Sequence, residues 1–378
     1  MANMLDYLAW RGDLSFSESP FNKIDALIAA ELAYVEFDGV LTDDPKPQLT
    51  LREACSRYQA LGNRQPAVVN DPRPMMMAAA KTRRFGPLML GGYTDLLDPE
   101  REMQLAALTV YLGDGSAVAA FRGTDNSIVG WREDFSFSYQ EHTAGQREAA
   151  AYLSRLGAAF PGPIRVTGHS KGGNFAVYAA AFCDASLRHS RVLRVYANDA
   201  PGFQQSLAES PELRSILDKT EVFIPESSLI GILLSTKEEK QIVKSSASGL
   251  YQHNPYSWQI LGTDFVEADS RSASSLFMDE TLRRWLANLN GAERADFVKA
   301  VFDSLESSGA LTMHEMKLEP MATANAIITA VSRMSPELQK SAFATLGKLA
   351  AAGGVTLREG LMQLLHPKKA ETKEADAE

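Results

Sequence analysis

The chain has 378 residues, of which 45% are hydrophobic and 22% charged, and its formal net charge at pH 7 is −9. These proportions are typical of a globular protein with a sizeable core. The acidic balance, with no basic stripe, excludes nucleic-acid binding through phosphates, and no run of 18 apolar residues predicts a transmembrane segment.

Targeting and metal-binding signals are also absent from the sequence. The first residues lack the basic and apolar regions of a secretory signal, so we expect a cytoplasmic protein. Cys55 and Cys183 are too few for a disulfide framework, and Cys183 is expected to be a buried free thiol. The six histidines lack the spacing of a zinc site, so neither a metal nor another cofactor is expected.

Residues 1–100 are predicted to form a helical segment that packs on the core. Ser-Pro-Phe-Asn at residues 19–22 is a helix-start signal. Apolar residues follow it at helical spacing, namely Ile24, Leu27, Ile28, Leu32 and Val35. The proline-rich stretch 44–84 predicts short helices mixed with loops.

Residues 101–268 carry short strands that alternate with helices, which predicts an α/β fold with a mostly parallel sheet. Strands at 105–112 and 116–121 flank Gly-Asp-Gly, a hairpin signal. The later predicted elements are a strand at 161–167, strands at 192–197, 221–224 and 241–245, and helices at 146–160, 174–181 and 211–217. In open α/β sheets the ligand site lies beyond the carboxyl ends of the strands, so the loops there are expected to converge.

Residues 269–366 are predicted to be a helical C-terminal extension. Two apolar faces have helical spacing, Leu282, Trp285, Leu286 and Leu289, then Val298, Val301, Phe302 and Leu305. Ser335 and Pro336 predict the start of another helix. The charged end, 367–378, is expected to be disordered. The helices offer a surface for a protein partner.

The most informative motif is Gly-His-Ser-Lys-Gly at residues 168–172, which matches the G-x-S-x-G turn of α/β-hydrolases. A predicted strand precedes it and a predicted helix follows it, as the motif requires. The glycines are needed because the serine adopts a strained backbone angle and side chains beside it would collide with the strand or helix. Ser170 is the candidate nucleophile.

A serine nucleophile needs a histidine base and an acid that orients the histidine. Of the histidines that follow Ser170 at a distance, His253 alone lies in a loop directly after a late predicted strand, so we predict it as the base. His169 is expected to have a packing role. Two residues can supply the acid: Asp199, at the end of strand 192–197, and Glu226, after strand 221–224. We favour Asp199 because its short side chain precedes a Pro-Gly turn.

The tetrahedral intermediate also needs donors for its oxyanion. The backbone N–H of Lys171, the residue after the nucleophile, is one predicted donor. The loop at residues 121–124 is the other, since Gly123 lets the backbone approach the substrate and Thr124 would supply its N–H and its hydroxyl.

Two of these motifs together, Phe-Arg-Gly-Thr at 121–124 and Gly-His-Ser-Lys-Gly-Gly at 168–173, resemble the class 3 (fungal-type) lipases. The resemblance covers about residues 105–260. It implies an α/β-hydrolase fold, an elbow serine that attacks an ester, and an oxyanion hole in the loop that contains Thr124. With the segments 130–135, 198–203 and 252–258 and the helical tail, the whole chain more closely resembles a largely uncharacterised bacterial family of lipase-like proteins.

The chain departs from the class 3 pattern at two positions. Lys171 stands where the family commonly has leucine, and its charge would either favour an anionic substrate or point to solvent. Glu-Ser-Ser at 226–228 stands where the family has an aspartate after the next-to-last strand. This departure is a further reason to favour Asp199 as the acid, with Glu226 as the alternative.

The sequence thus predicts a serine hydrolase that cleaves lipid-like or small acyl esters through an acyl-enzyme on Ser170. The alternative is a catalytically weak, hydrolase-shaped binding or scaffold protein that uses its C-terminal helices.

Overall fold

A computed structural model describes residues 2–62, 70–125 and 127–307 and the single residues 332, 336 and 339. The predicted helix start at Ser335 and Pro336 and the predicted tail at 367–378 lie outside these continuous stretches. The chain divides into two compact units, Met1–Asp279 and Glu280–Glu378. The domain borders expected from the sequence stay a prediction.

The described stretches contain ten strands and twelve α-helices. The strands are β1 Leu49–Thr50, β2 Met89–Asp98, β3 Met103–Tyr111, β4 Ala117–Phe121, β5 Ile164–His169, β6 Val192–Asn198, β7 Thr220–Pro225, β8 Lys240–Val243, β9 Ile260–Leu261 and β10 Asp264–Phe265. The helices are α1 Met4–Arg11, α2 Lys23–Leu32, α3 Leu51–Ala60, α4 Arg73–Lys81, α5 Ile128–Ser136, α6 Ala144–Ala159, α7 Lys171–Phe182, α8 Ala185–Ser190, α9 Gln205–Ala208, α10 Pro211–Arg214, α11 Ala273–Ala287 and α12 Gly291–Ser307.

The main sheet has eight strands in chain order, β1 to β8. The pairs among β1, β2, β3 and β4 are antiparallel, and β4 to β8 are parallel. His169 pairs with Asn198, and Asn198 pairs with Phe223, so the carboxyl ends of β5, β6 and β7 meet at one edge. This is the α/β fold with a mostly parallel sheet that the sequence predicted.

Most predicted elements are present, and the hairpin of β3 and β4 is confirmed. The predicted helix start at Asn22 is also confirmed, because its side chain accepts hydrogen bonds from the backbone of Ile24 and Asp25 at the start of α2. The residues of the predicted C-terminal helical faces lie on α11 and α12, except Leu289, which follows α11, and the last described strand is β10.

Strand β2 was not predicted from the sequence. Adjacent glycines, Gly91 and Gly92, interrupt its apolar pattern, and the pairing register with β3 shifts between Gly91 and Thr94. Gly92 has a φ of 60°, a conformation that favours glycine at a bulge. Past the bulge, the Asp95 carboxylate accepts two hydrogen bonds from Arg122 at 2.8 and 3.0 Å. The strand therefore anchors the loop that follows β4.

Helices cover both faces of the sheet. Alternate strand residues point to opposite faces, and β4 shows the division. Val118 joins the core formed with the N-terminal helices, whereas Phe121 contacts the Tyr152 ring of α6, with ring centroids 5.6 Å apart. On the N-terminal side the Thr167 hydroxyl of β5 donates to the carbonyl of Ala26 in α2. The N-terminal helices are thus part of the layered core beneath the elbow.

Within the part of the chain that the structure describes, no helix is long and apolar enough to cross a membrane. Cys55 and Cys183 are both buried and free, as the sequence predicted for Cys183.

Candidate functional site

Ser170 lies in a sharp turn between β5 and α7. Its φ of 58° and ψ of −132° fall in a region that non-glycine residues rarely adopt. Its N–H donates to the carbonyl of Asn198 on β6 at 2.9 Å, which holds the turn against the neighbouring strand. A Cβ at Gly172 would collide with the carbonyl oxygen of Phe121, so only glycine fits there. The residues of the motif therefore force the serine out at the sheet edge.

Asp199 and His253 form a short contact at the same edge. His253 Nδ1 lies 2.6 Å from Asp199 Oδ2, and the Asp199 side chain is 0% exposed whereas that of His253 is 31% exposed. Asp199 Oδ1 accepts hydrogen bonds from the Ser228 hydroxyl at 2.5 Å and the Gly231 N–H at 3.1 Å. A carboxylate that accepts from Nδ1–H leaves Nε2 of the ring free to act as a base.

Glu226, the other predicted acid, is not joined to His253 by any hydrogen bond or ion pair among the described residues. Its N–H donates to the carbonyl of Val243, and its carbonyl accepts from the N–H of Ser272. The loop after β7 reaches the site through Ser228, whose hydroxyl donates to Asp199. Ser228 lies in the segment 226–228, where class 3 lipases have their aspartate. In this chain it therefore supports the Asp199 carboxylate, which follows β6.

Among the described residues, Ser170 and His253 are not hydrogen-bonded to each other. In the described part of the chain, the Ser170 Oγ has no hydrogen-bond partner. The His253 ring instead lies against the ring of His169, the residue before the nucleophile, in a tilted arrangement with ring centroids 4.7 Å apart. General-base catalysis needs the serine oxygen and the ring nitrogen within about 3.2 Å in the substrate complex, and in apo structures such contacts are often longer.

His169 holds the backbone of His253. Its Nε2 lies 2.9 Å from the carbonyl oxygen of His253, and a carbonyl can only accept, so Nε2 carries the proton. Nδ1 then accepts from the Tyr34 hydroxyl at 3.0 Å. Burial, and secondarily the electrostatic interaction with His253, lowers the pKa of His169 to about 3, so the ring is neutral. The neutral His169 ring thus contacts the His253 ring and holds the His253 backbone by one hydrogen bond.

A buried carboxyl group from the N-terminal segment lies beside this histidine. Glu31 Oε1 is 3.6 Å from His169 Nδ1, and it has no hydrogen-bond partner in the described part of the chain. Burial raises the pKa of Glu31 to about 8, so the group is neutral at pH 7. No sequence motif marks this residue, because its neighbours have the pattern of an ordinary amphipathic helix.

The loop at 121–124 lies directly against the nucleophile. A Cβ at Gly123 would lie 2.8 Å from the carbonyl oxygen of His169 and 3.0 Å from the Cβ of Ser170. The Thr124 hydroxyl donates to Asp134 Oδ2 on α5. Its proton is therefore engaged, and the backbone N–H of Thr124 is the donor that remains for an oxyanion.

Asp134 is a half-buried partner that was not predicted from the sequence. Burial raises its pKa to about 6, against the opposing effects of the Lys171 charge and the Thr124 hydrogen bond. Asp134 Oδ1 is buried without a hydrogen-bond partner among the described residues. The segment 130–135, noted above as part of the family resemblance, was the available signal for this residue.

The prediction for the Lys171 side chain was wrong. It faces neither solvent nor a substrate, because Lys171 and Glu133 are both 0% exposed and their charged atoms lie 3.2 Å apart. A buried lysine at this position needs a paired carboxylate, and Glu133 on α5 provides it. Lys171 is the first residue of α7, and its backbone N–H is the predicted oxyanion donor.

The arrangement brings a strained serine, a histidine with a buried acid, and two backbone N–H candidates to one sheet edge. These are the groups that acyl transfer requires. Within the described residues, no cluster of three or more histidine, cysteine, aspartate or glutamate side chains could hold a metal ion.

Comparisons with known proteins place these observations in context. The sequence model of the Mbeg1-like family matches residues 79–303, more than half of the chain. No curated protein sequence matches. The M37 lipase structure is similar at 16% identity and a TM-score of 0.33, over 43% of this chain and 62% of that one, so the chain spans less than two thirds of the lipase. A mutant of MDLA from Penicillium cyclopium is similar at 15% identity and a TM-score of 0.35, over 68% of this chain and 88% of that one.

Proposed function

The chain belongs to the Mbeg1-like family, and we propose that it is a serine hydrolase that cleaves carboxylic esters through an acyl-enzyme on Ser170. The observation that carries the proposal is the short contact between His253 Nδ1 and the buried Asp199 carboxylate, one strand away from a serine in a strained turn.

In the first half of the reaction Ser170 Oγ attacks the ester carbonyl carbon while His253 Nε2 takes the hydroxyl proton. Asp199 keeps the ring in the tautomer that presents Nε2 and stabilises the imidazolium that forms. The backbone N–H groups of Lys171 and Thr124 bind the oxyanion. The imidazolium then protonates the departing alcohol, which leaves an acyl group on Ser170.

In the second half a water molecule attacks the acyl-enzyme. His253 takes a proton from this water, the same N–H groups bind the second oxyanion, and Ser170 leaves with the proton returned. The products are a carboxylic acid and the free serine. Every proton is carried by the protein and water.

We propose neutral esters, of small acyl groups or lipid-like chains, as the substrate class. The Lys171 charge is the nearest cation in sequence to the nucleophile, and Glu133 neutralises it inside the protein. An anionic group on the substrate therefore gains nothing from this side chain. The compartment, cytoplasmic by expectation, and a protein partner for the C-terminal helices stay predictions.

A fluorophosphonate probe, which phosphonylates activated serines, tests the proposal together with p-nitrophenyl acetate, butyrate and octanoate. We expect labelling of the wild type at Ser170 and turnover of at least one ester, with both lost in Ser170→Ala. Ser186→Ala, which changes an exposed serine on α8, is the matched control and should retain both activities.

A folded wild type with neither labelling nor turnover would rule out the proposal and favour the binding or scaffold function. Turnover that persists in Ser170→Ala would place the chemistry on another residue.

A further inference from the structure

Glu133 accepts hydrogen bonds from three elements around the elbow. Its Oε1 accepts from the Thr143 hydroxyl at 3.0 Å and from the Gly145 N–H at 2.8 Å, both at the start of α6. Its Oε2 accepts from the Gln104 N–H of β3 at 3.0 Å and from Lys171 Nζ at 3.2 Å. With four donors, the carboxylate is saturated, and its position is set from several directions.

The Lys171 side chain has no access to solvent and is held at its tip. Besides Glu133, its Nζ contacts the carbonyl oxygen of Gly130 at 3.4 Å and lies 5.5 Å from the ring centre of Phe175. A buried ion pair brings a desolvation cost, and an apolar side chain of the same volume would fill this space without it. The ion pair instead fixes the orientation of the Lys171 side chain, which points towards Glu133 on α5.

Asp134, which follows Glu133 on α5, contacts the loop at 121–124 on the other side of the site. Asp134 accepts the hydrogen bond of Thr124, whose N–H is the second proposed oxyanion donor. One helix therefore holds both segments that bind the oxyanion, through two successive carboxylates. The segment 130–135 was singled out in the sequence, and the proposed reaction itself assigns it no role.

We infer that Glu133 is a positioning residue, which acts through the Lys171 side chain to keep the Lys171 backbone N–H aimed at the oxyanion. The inference rests on the proposed function. Lys171, the first residue of α7, carries both the buried ammonium group and the backbone N–H next to Ser170. A shift of its side chain therefore shifts the N–H. Misplacement of a catalytic group by about 1 Å can cost about 100-fold in rate.

Three variants test the inference: Lys171→Met, Glu133→Gln and the double variant. Lys171→Met keeps an unbranched side chain, shorter by the ammonium group, and leaves Glu133 its three uncharged donors. We expect each single variant to lower kcat for p-nitrophenyl butyrate and the rate of fluorophosphonate labelling about 10- to 100-fold, with KM within about 3-fold. The double variant should lower kcat about as much as one single variant, because both changes break the same link.

Measurements of Tm distinguish a loss of positioning from a general loosening of the fold. A single variant leaves a buried charge or donor without its partner and should lower Tm, whereas the double variant should recover part of that loss without recovering kcat. The matched control is Asp25→Asn, which breaks another pair of 0% exposed side chains, Asp25 and Arg84, among the N-terminal helices. It should lower Tm but leave kcat within about 2-fold, measured well below its Tm.

Lys171→Met and Glu133→Gln proteins with kcat within about 3-fold of the wild type would overturn the inference, as would an equal loss of kcat in Asp25→Asn. If the single variants do not fold, the double variant, which has no uncompensated charge, decides by the same criterion. A wild type with no turnover and no labelling would overturn the proposed function and this inference together, whereas an active wild type with unaffected variants would overturn the inference alone.

Discussion

Ser170 and Asp199 occupy equivalent positions on neighbouring parallel strands. Each directly follows one member of the register pair His169 and Asn198, and their φ angles are 58° and 44°. Each also donates its N–H to the next strand, Ser170 to Asn198 and Asp199 to Phe223. Backbone strain of about 1–3 kcal/mol per residue persists only where the surrounding structure enforces it. At the candidate active site the neighbouring strands enforce it at both Ser170 and Asp199.

The acid can be identified by comparing Asp199→Asn with Glu226→Gln. We expect Asp199→Asn to lower kcat for p-nitrophenyl butyrate about 1,000- to 10,000-fold, because an amide stabilises the wrong tautomer of His253 and cannot stabilise the imidazolium. Glu226→Gln should leave kcat within about 2-fold, since its side chain makes no bond to His253. The reverse order of effects in steady-state assays would assign the acid to Glu226.

The hydroxyl of Thr124 can be tested with an isostere. Thr124→Val keeps the shape but removes the donor to Asp134, so the loop at 121–124 loses its link to α5. We expect kcat to fall about 100-fold with KM little changed, the size of effect that an oxyanion donor has. Thr124→Ser, which keeps the hydroxyl, is the control and should stay within about 10-fold of the wild type. Wild-type kcat in the valine variant would show that the hydroxyl serves only packing.

His169 is predicted to support His253 through one hydrogen bond. His169→Phe keeps an aromatic ring beside His253 but leaves the His253 carbonyl without its donor. Because the backbone that carries the His253 ring would be held less firmly, we expect kcat to fall about 10-fold. His142→Phe is the matched control, since His142 also bonds a tyrosine hydroxyl but on the far side of α7, at Tyr178. Equal activity of the two variants would contradict this role.

Glu31 should make stability depend on pH in a defined window. Its folded pKa of about 8 lies above its ordinary value of 4.5, so between these pH values the folded state holds a proton that the unfolded state releases. The free energy of unfolding therefore falls as pH rises through this window, by at most about 1.4 kcal/mol per pH unit, and levels off above it. Glu31→Gln lacks this titration.

We expect the Tm of Glu31→Gln relative to the wild type to increase from pH 5 to pH 8. Thermal unfolding at pH 5, 6.5 and 8 measures the difference, in which the titration of all other groups cancels. Glu100→Gln, a change at an exposed glutamate, should show a constant difference. A constant difference for Glu31→Gln as well would mean that the carboxyl is ionised in the folded protein.

Some parts of the site were within reach of the sequence because they are local. The turn at 168–172 needs particular residues at consecutive positions, and the strand before it and helix after it have their own short-range patterns. The pairing of β3 with β4 follows from a three-residue turn between two apolar runs. By contrast, β2 was missed because its two glycines serve a bulge, which only the partner strand makes visible.

The direction of the Lys171 side chain was beyond local reasoning. Its partner, Glu133, precedes it by 38 residues and belongs to another helix. Lysine next to a nucleophile suggests solvent or substrate, unless a buried carboxylate is known to lie opposite. The same holds for Thr124, whose hydroxyl is directed by Asp134.

The sequence by itself determined the fold class, the candidate nucleophile and the set of loops from which its partners come, because each depends on periodicity or on a short motif. Only the tertiary structure decided which carboxylate meets His253, since Asp199 and Glu226 both follow parallel strands at the same edge. The choice depends on how 54 residues of chain return His253 to β6 and on the donors, Ser228 and Gly231, that hold one carboxylate there. Contacts between residues so far apart arise from packing of the whole sheet, and no local pattern records them.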